Sequence, residues 1–305
     1  MNVLSAEAHP RDSLQRQYVY SVLSRRAGGI SLGVNLNPDS ICNWACAYCQ
    51  VAREDKPKQR LEVDFERAAA EISEVLESVA DGSLLKEPLH RGLPSELRHV
   101  VDLSFSGDGE PTTCPHFPAL LEHVIAEKNR LELRLELVIL SNNSMAHRPS
   151  VGAALRRLAE AGGRLHAKLD AGDEAGYLRV DRSAVPWQRT LGNLQLASRL
   201  APLTLQTLIC AVDGVYMGAD ELDSYIAILK GLLDEGGQIA KIDLHSVARR
   251  PPFDHVKGLP LSFLQSLAAR IEDVEPRLAG LVYSSPGSDT YLLPGAAAHL
   301  EQKMV

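Results

Sequence analysis

A short β-branched run followed by a helical stretch recurs along this 305-residue chain, and that recurrence limits its fold more than any other feature. The runs read as strands are Ile30–Leu36, Val100–Ser106, Leu133–Leu140, Leu165–Leu169, Leu203–Cys210 and Ile239–His245. Between them the apolar spacing is helical. Phe65, Ala69, Ile72, Leu76 and Val79 make one stripe, and His116–Arg130, Ser150–Ala161, Trp187–Leu200 and Asp220–Asp234 read as further helices. Gly162-Gly163 and Gly236-Gly237 are helix stops. Alternating strands and helices build a parallel sheet through right-handed crossovers, either doubly wound or closed as a barrel. In both arrangements the chemistry gathers at the C-terminal ends of the strands.

The unusual residues of this chain lie at those ends. Cys42, Cys46 and Cys49 follow the first strand with the spacing C-x3-C-x2-C. Three thiolates fill three corners of a cubane iron–sulfur cluster and leave the fourth iron open to another ligand. A cluster used only for electron transfer normally takes four cysteines. Structural zinc is the competing reading, but zinc wants four ligands, and the remaining Cys114 and Cys210 are distant in sequence. Cys114 reads as an inert thiol, a substrate-facing residue or a thiyl-radical source, and Cys210, in an apolar strand, as core.

Ser106-Gly-Asp-Gly-Glu-Pro-Thr112 follows the second strand, and its two glycines let backbone approach a ligand closely. Ser141-Asn142-Asn143 ends the third strand, with short polar side chains that either hold a carboxylate or ribose or simply form the turn. Lys168-Leu169-Asp170 ends the fourth, where an inward lysine is costly unless paired. His245, Arg249 and Arg250 close the sixth, either as an anion-holding group or as a solvated strand end. Asp81–Leu97 is turn-rich and reads as an excursion over the barrel. Beyond Arg250-Pro-Pro252 the repeat stops. Leu261–Ile271 is helical, Ala279–Tyr283 is a candidate strand, and the end reads as loosely ordered.

Cys42-x3-Cys46-x-Tyr48-Cys49 resembles the C-x3-C-x-aromatic-C signature of the radical S-adenosylmethionine superfamily. Gly107-Asp-Gly-Glu-Pro111 resembles its Gly-Gly-Glu-Pro segment, with Asp108 in place of a glycine. The resemblance implies a partial (β/α)6 TIM-like barrel over residues 28–252, with an N-terminal segment 1–27 and a short C-terminal extension 253–305. It implies a [4Fe–4S] cluster on Cys42, Cys46 and Cys49. S-adenosylmethionine would meet Tyr48 at its adenine and Gly109 and Glu110 at its amino group. Ser141 and Asn142 would meet its carboxylate or ribose, Lys168 its carboxylate, and Asp170 its ribose or the substrate. It also implies an external one-electron donor of flavodoxin or ferredoxin type. No residue is assigned to the catalytic step itself.

Ser31-Leu-Gly-Val-Asn35, Cys49-Gln-Val-Ala52, Lys168-Leu-Asp-Ala-Gly172 and Val247-Ala-Arg-Arg-Pro-Pro252 are similar to a bacterial group related to wyosine-base synthases, which act on a guanine of tRNA. Those enzymes carry a second cluster on N-terminal cysteines, whereas no cysteine precedes Cys42 here. A formal net charge of −7 also argues against a wide nucleic-acid interface. The substrate therefore stays open among a small metabolite, a peptide and a modified nucleobase. An activating enzyme for a glycyl-radical protein is a second reading, and a non-catalytic iron–sulfur regulator or scaffold a third. Peptide-modifying members with a cysteine-rich C-terminal extension are excluded, because no cysteine follows Cys210. No apolar run approaches the length of a membrane span, the N-terminus lacks a signal-peptide pattern, and the clustered cysteines fit a reducing cytoplasm rather than a disulfide scaffold.

Overall fold

The computed structural model describes residues 16–24, 28–51 and 61–293. Most of the expected N-terminal segment, Ala52 and the last twelve residues, including the end expected to be loosely ordered, lie outside them. The chain divides into two compact units. One is drawn from Met1–Cys42, Ala52–Ser141 and His147–Leu165, the other from Asn43–Val51, Asn142–Ala146 and His166–Val305.

In chain order the first unit contains β1 (Val19–Ser24), β2 (Gly29–Val34), α1 (Phe65–Ala80), the four-residue α2 (Pro88–Arg91), β3 (Val100–Phe105), α3 (Phe117–Arg130), β4 (Glu136–Ser141) and α4 (Pro149–Glu160). Strands β2, β3 and β4 pair in parallel, and β1 joins β2 antiparallel at the edge. The sequence pattern does not mark β1, because its alternation is weak: only Val19 and Ser21 are buried. Its start is fixed instead by one carboxylate. Glu71, on the apolar face of α1, accepts the backbone amides of Gln17, Tyr18 and Val19 at 3.0, 2.7 and 3.2 Å and pairs with Arg67 at 3.1 Å. Around it Ala68, Ala69, Ile72, Val75 and Leu76 are buried. Asp64 caps this helix by accepting from Arg67 N.

The second unit begins within β5 (Arg164–Lys168) and continues with α5 (Glu174–Val180), α6 (Trp187–Leu200), β6 (Leu203–Leu208), β7 (Cys210–Val212), α7 (Ala219–Asp234), β8 (Ile239–His245), β9 (Val256–Gly258), α8 (Leu261–Val274) and β10 (Val282–Ser285). The sheet runs β5-β6-β8-β10, with β8 parallel to both its neighbours. One face is almost wholly apolar: Leu165, Ala167, Leu169, Leu203, Leu205, Ile242 and Leu244 are buried. By alternation the other carries His166, Lys168, Asp170, Gln206, Asp243 and His245.

The fold class is the α/β parallel architecture that the sequence pattern implied. Four of the six expected strands coincide with observed ones within two residues at each end, and a fifth, expected at Leu133–Leu140, begins three residues later, as β4. The sixth expectation, Leu203–Cys210, splits at Ile209, and Cys210–Val212 turns away to pair antiparallel with β9. The expected strand near Ala279–Tyr283 forms three residues later, as β10. The glycine stops hold: Gly162 and Gly236 sit at φ +72° and +80°, left-handed values that a side chain would resist.

Candidate active site

In the first unit, the chain leaving β2 and the chain leaving β3 are locked together. The Asn35 side chain donates to Asp108 Oδ2 at 2.9 Å and accepts from the backbone of Asp108 and of Asn37 at 3.1 and 3.0 Å. Asp108 thus meets Asn35 through both its backbone and its side chain. Both flanking glycines are required by space. A Cβ on Gly107, whose φ is +152°, would lie 2.4 Å from Asn35 Oδ1. One on Gly109 would lie 2.3 Å from the carbonyl oxygen of Ile41, the residue before Cys42. The Gly109 backbone is therefore seated directly against the approach to the first cysteine.

Glu110 is buried, and its Oε1 accepts from the Ser141 hydroxyl at 2.7 Å, from Thr112 N at 3.2 Å and from the Thr112 hydroxyl. Glu110 and Ser141, each expected to meet a ligand, are brought into contact with each other.

In the second unit, the loop bearing Cys46 and Cys49 hangs on the end of α5. Ala45 N donates to Asp181 O at 3.2 Å and Ala47 N to Val180 O at 2.8 Å. Trp44 meets the Tyr177 ring edge-on at 5.5 Å. Ala47 and Tyr48 pack into a small core of Val180, Cys210, Val212, Val247 and Val256, to which the β7–β9 ribbon contributes. Asn142 donates to Asn43 Oδ1 at 2.9 Å, and Asn43 donates to the Ser144 hydroxyl at 2.6 Å. Asn142 thus steadies the residue between Cys42 and Trp44, and Asn143 makes the turn at φ +61°.

Tyr48, Lys168 and Asp170 meet at one point. The Tyr48 hydroxyl donates to Asp170 Oδ2, Lys168 Nζ lies 3.0 Å from Asp170 Oδ1, and Leu208 N donates to that same oxygen at 2.7 Å. The Lys168 ammonium also stands 5.2 Å over the Tyr48 ring. Burial, then the Asp170 charge, pushes the Tyr48 phenol well above its usual range.

One participant was not visible in the sequence. Cys46 Sγ donates to Asp181 Oδ1 at 3.7 Å, and Asp181 is buried. Burial, then the Asp170 charge, holds the Asp181 carboxyl well above the ordinary carboxylate range. Burial, then Asp181, raises the Cys46 thiol. Asp181 follows α5, a seven-residue helix whose pattern is too short to stand out, and no spacing motif marks it.

Cys42, Cys46 and Cys49 are half-buried and in no disulfide, whereas Cys114 and Cys210 are buried. Among the described residues no three His, Cys, Asp or Glu side chains gather as ligands of one metal ion, and no helix is long and apolar enough to cross a membrane. The donor set suits an iron–sulfur cube. Three thiols come from one short loop, and an iron would supply positive charge beside the half-buried Cys46 sulfur, where Asp181 opposes the thiolate.

The sequence model of the Radical SAM superfamily matches residues 36–218. Two "UPF0026" proteins of Helicobacter pylori are similar over 234 residues, that of strain 26695 at 30% identity and that of strain J99 at 29%. In both cases the alignment covers 76% of this chain and 66% of the relative, so the chain spans just under two thirds of those proteins. A structure of TYW1 with a lysine-pyruvate adduct bound has a TM-score of 0.52 at 16% identity, covering 84% of each chain. A radical SAM methyltransferase from Sphaerobacter thermophilus has a TM-score of 0.53 at 13% identity, covering 88% of this chain and 69% of its own. These two likenesses establish the fold.

Proposed function

The chain belongs to the radical S-adenosylmethionine superfamily, whose members use a [4Fe–4S] cluster and S-adenosylmethionine, and on that premise we propose how its own residues divide the work. Cys42, Cys46 and Cys49 would hold the cluster, and S-adenosylmethionine would bind beside it through its amino and carboxylate groups. When bound and reduced, these cofactors supply the 5′-deoxyadenosyl radical that takes a hydrogen atom from the substrate.

The observation that carries this reading is the seat of Gly109. With no room for a Cβ, its backbone lies against Ile41 O, beside the first cysteine. An amide and carbonyl at that point suit the amino group of the methionine moiety. Glu110 and Ser141 keep the turn rigid through their mutual hydrogen bond. Asn142 fixes Asn43 and so the start of the cysteine loop. Lys168 offers its ammonium to the methionine carboxylate from a position already set by Asp170. Asp170 holds Tyr48, whose ring offers a flat face to the adenine. The substrate is a small metabolite, a peptide or a modified nucleobase. The electron comes from a flavodoxin- or ferredoxin-type protein, and a reducing cytoplasm is the compartment in which thiols of this kind escape disulfide formation.

The test is anaerobic. The cluster is assembled with iron and sulfide, and dithionite and S-adenosylmethionine are added. The reading predicts 5′-deoxyadenosine and methionine in equal amounts. A fully loaded, reducible protein that binds S-adenosylmethionine and releases no 5′-deoxyadenosine, with or without candidate substrates, would overturn it.

A further inference from the structure

Asp39 precedes the first cysteine of the triplet by three residues and is buried. Both oxygens of its carboxylate are taken by backbone. Oδ1 accepts from Ile41 N at 2.9 Å, and Oδ2 accepts from Leu61 N at 3.1 Å, 22 positions further along the chain. The stretch that carries Cys42, Cys46 and Cys49 lies between those two amides, so one side chain ties its two ends together.

The turn around Asp39 is built to hold that carboxylate still. Asn35 and Asn37 are buried as well. Asn35 Oδ1 accepts from Asn37 N at 3.0 Å, and the Asn37 side chain donates to Thr113 Oγ1 at 3.3 Å. Ser40 N donates to Asn37 O at 2.9 Å, and Ser40 closes the turn at φ +59°, a value that a residue other than glycine keeps only where its surroundings enforce it. Packing gives the far end of the tie little hold. Leu61 is 49% exposed, and a cavity of about 360 Å³ opens among Leu36, Leu61, Val63, Pro115 and His116. The hydrogen bond to Asp39 therefore fixes Leu61 where apolar contact does not. A charged acceptor makes such a bond roughly twice as strong as a neutral one.

The grip reaches the first cysteine through Ile41. Its amide is held by Asp39, and its carbonyl oxygen is the atom against which Gly109 has no room for a Cβ. The residue before Cys42 is thus fixed at its amide and bounded at its carbonyl. A rotation of Ile41 would shift Cys42 and the wall of the Gly109 seat together. We infer that Asp39 is a positioning residue: its carboxylate clasps both ends of the cysteine-bearing segment and, through Ile41, sets Cys42 relative to the Gly109 backbone. The inference rests on the reading under Proposed function for the use made of that geometry, and it adds a residue that no cysteine spacing marks.

The test uses the full chain, first cluster-free and then loaded. Asp39→Ala removes both acceptors. Asp39→Asn leaves one oxygen and sets an amide N–H where the other stood. In the cluster-free chain treated with iodoacetamide, Cys42 should be labelled about fivefold faster in Asp39→Ala and at an intermediate rate in Asp39→Asn. Cys49 should keep the rate of the unaltered chain, because its part of the loop hangs on α5 instead. Amide exchange at Ile41 and Leu61 should quicken in the same order, while Leu32 and Val34 of β2 stay protected and show that the fold is intact. In chains loaded to equal iron content, S-adenosylmethionine affinity should fall about fivefold in Asp39→Ala. Unchanged labelling of Cys42, or equal acceleration of Cys42 and Cys49, would overturn the inference. So would faster exchange at Ile41 and Leu61 with Cys42 labelling and S-adenosylmethionine affinity both unaltered, the mark of a tie that serves only the fold. If the unaltered loaded chain binds no S-adenosylmethionine, the functional reading fails, and labelling and exchange still decide the clasp.

Discussion

The Tyr48 hydroxyl donates a hydrogen bond to Asp170, joining the aromatic residue of the cysteine loop to the end of β5 across 122 positions of sequence. Asp170 also takes Lys168 and the Leu208 amide, so one carboxylate organises three groups. If its task is to set the Tyr48 ring, Tyr48→Phe and Asp170→Asn should each weaken S-adenosylmethionine binding by about 1 kcal/mol, the scale of one hydrogen bond. The double substitution should cost clearly less than the sum. Equilibrium dialysis of labelled S-adenosylmethionine on the loaded protein checks this, and additive losses would mean that the two residues act separately.

Asn35 and Asp108 make a second coupled pair. A buried hydrogen bond to a carboxylate contributes about 1.5–3 kcal/mol, so Asp108→Ala should destabilise the chain by about 2 kcal/mol in urea unfolding. Asp108→Asn keeps an acceptor for the Asn35 amide and should recover part of that loss. The pair also explains why a carboxylate is tolerated where the family pattern has a glycine: Asn35 engages it by backbone and side chain.

Glu71 predicts a larger stability effect. Glu71→Leu would strand three backbone amides at the start of β1, and each unsatisfied buried donor costs about 1–3 kcal/mol. A loss of roughly 3 kcal/mol or more is expected, together with rapid amide exchange at Tyr18 and Val19. Protection there equal to that of the unaltered chain would show that β1 is held by its pairing with β2 instead.

The thiols should separate by reactivity. Cys210 is buried and its thiol is pushed up to about 12, chiefly by burial. Its thiolate fraction therefore rises tenfold per pH unit through the neutral and moderately alkaline range. Mass spectrometry of the cluster-free chain treated with iodoacetamide at pH 8 should find Cys210 unmodified while the half-buried Cys42 and Cys49 react. Labelling should reach Cys210 when the chain is unfolded or the pH is raised. Early modification of Cys210 in the folded chain would contradict its place beneath the cysteine loop.

The main architecture was legible because its signals are local. Period-2 and period-3.6 apolar patterns marked the parallel strands and long helices, and the cysteine spacing marked the loop that carries Tyr48. What the sequence concealed depends on distant partners. Strand β1 exists through Glu71, 52 residues from Val19. The β7–β9 ribbon joins Cys210–Val212 to Val256–Gly258, segments too short to announce themselves. Asp181 is placed by a short helix and became visible only through its contact with Cys46. Asp170 was legible as a residue at a strand end, but its three donors come from three separate segments.

The most direct test is electron–nuclear double resonance of the reduced, reconstituted protein with S-adenosylmethionine carrying ¹⁵N in its amino group. A cluster held by Cys42, Cys46 and Cys49 with its fourth iron open predicts a resolved ¹⁵N coupling to the cluster spin. In Cys46→Ala the cluster signal itself should be lost. An intact [4Fe–4S] signal with no ¹⁵N coupling, at S-adenosylmethionine concentrations that saturate binding, would contradict the account.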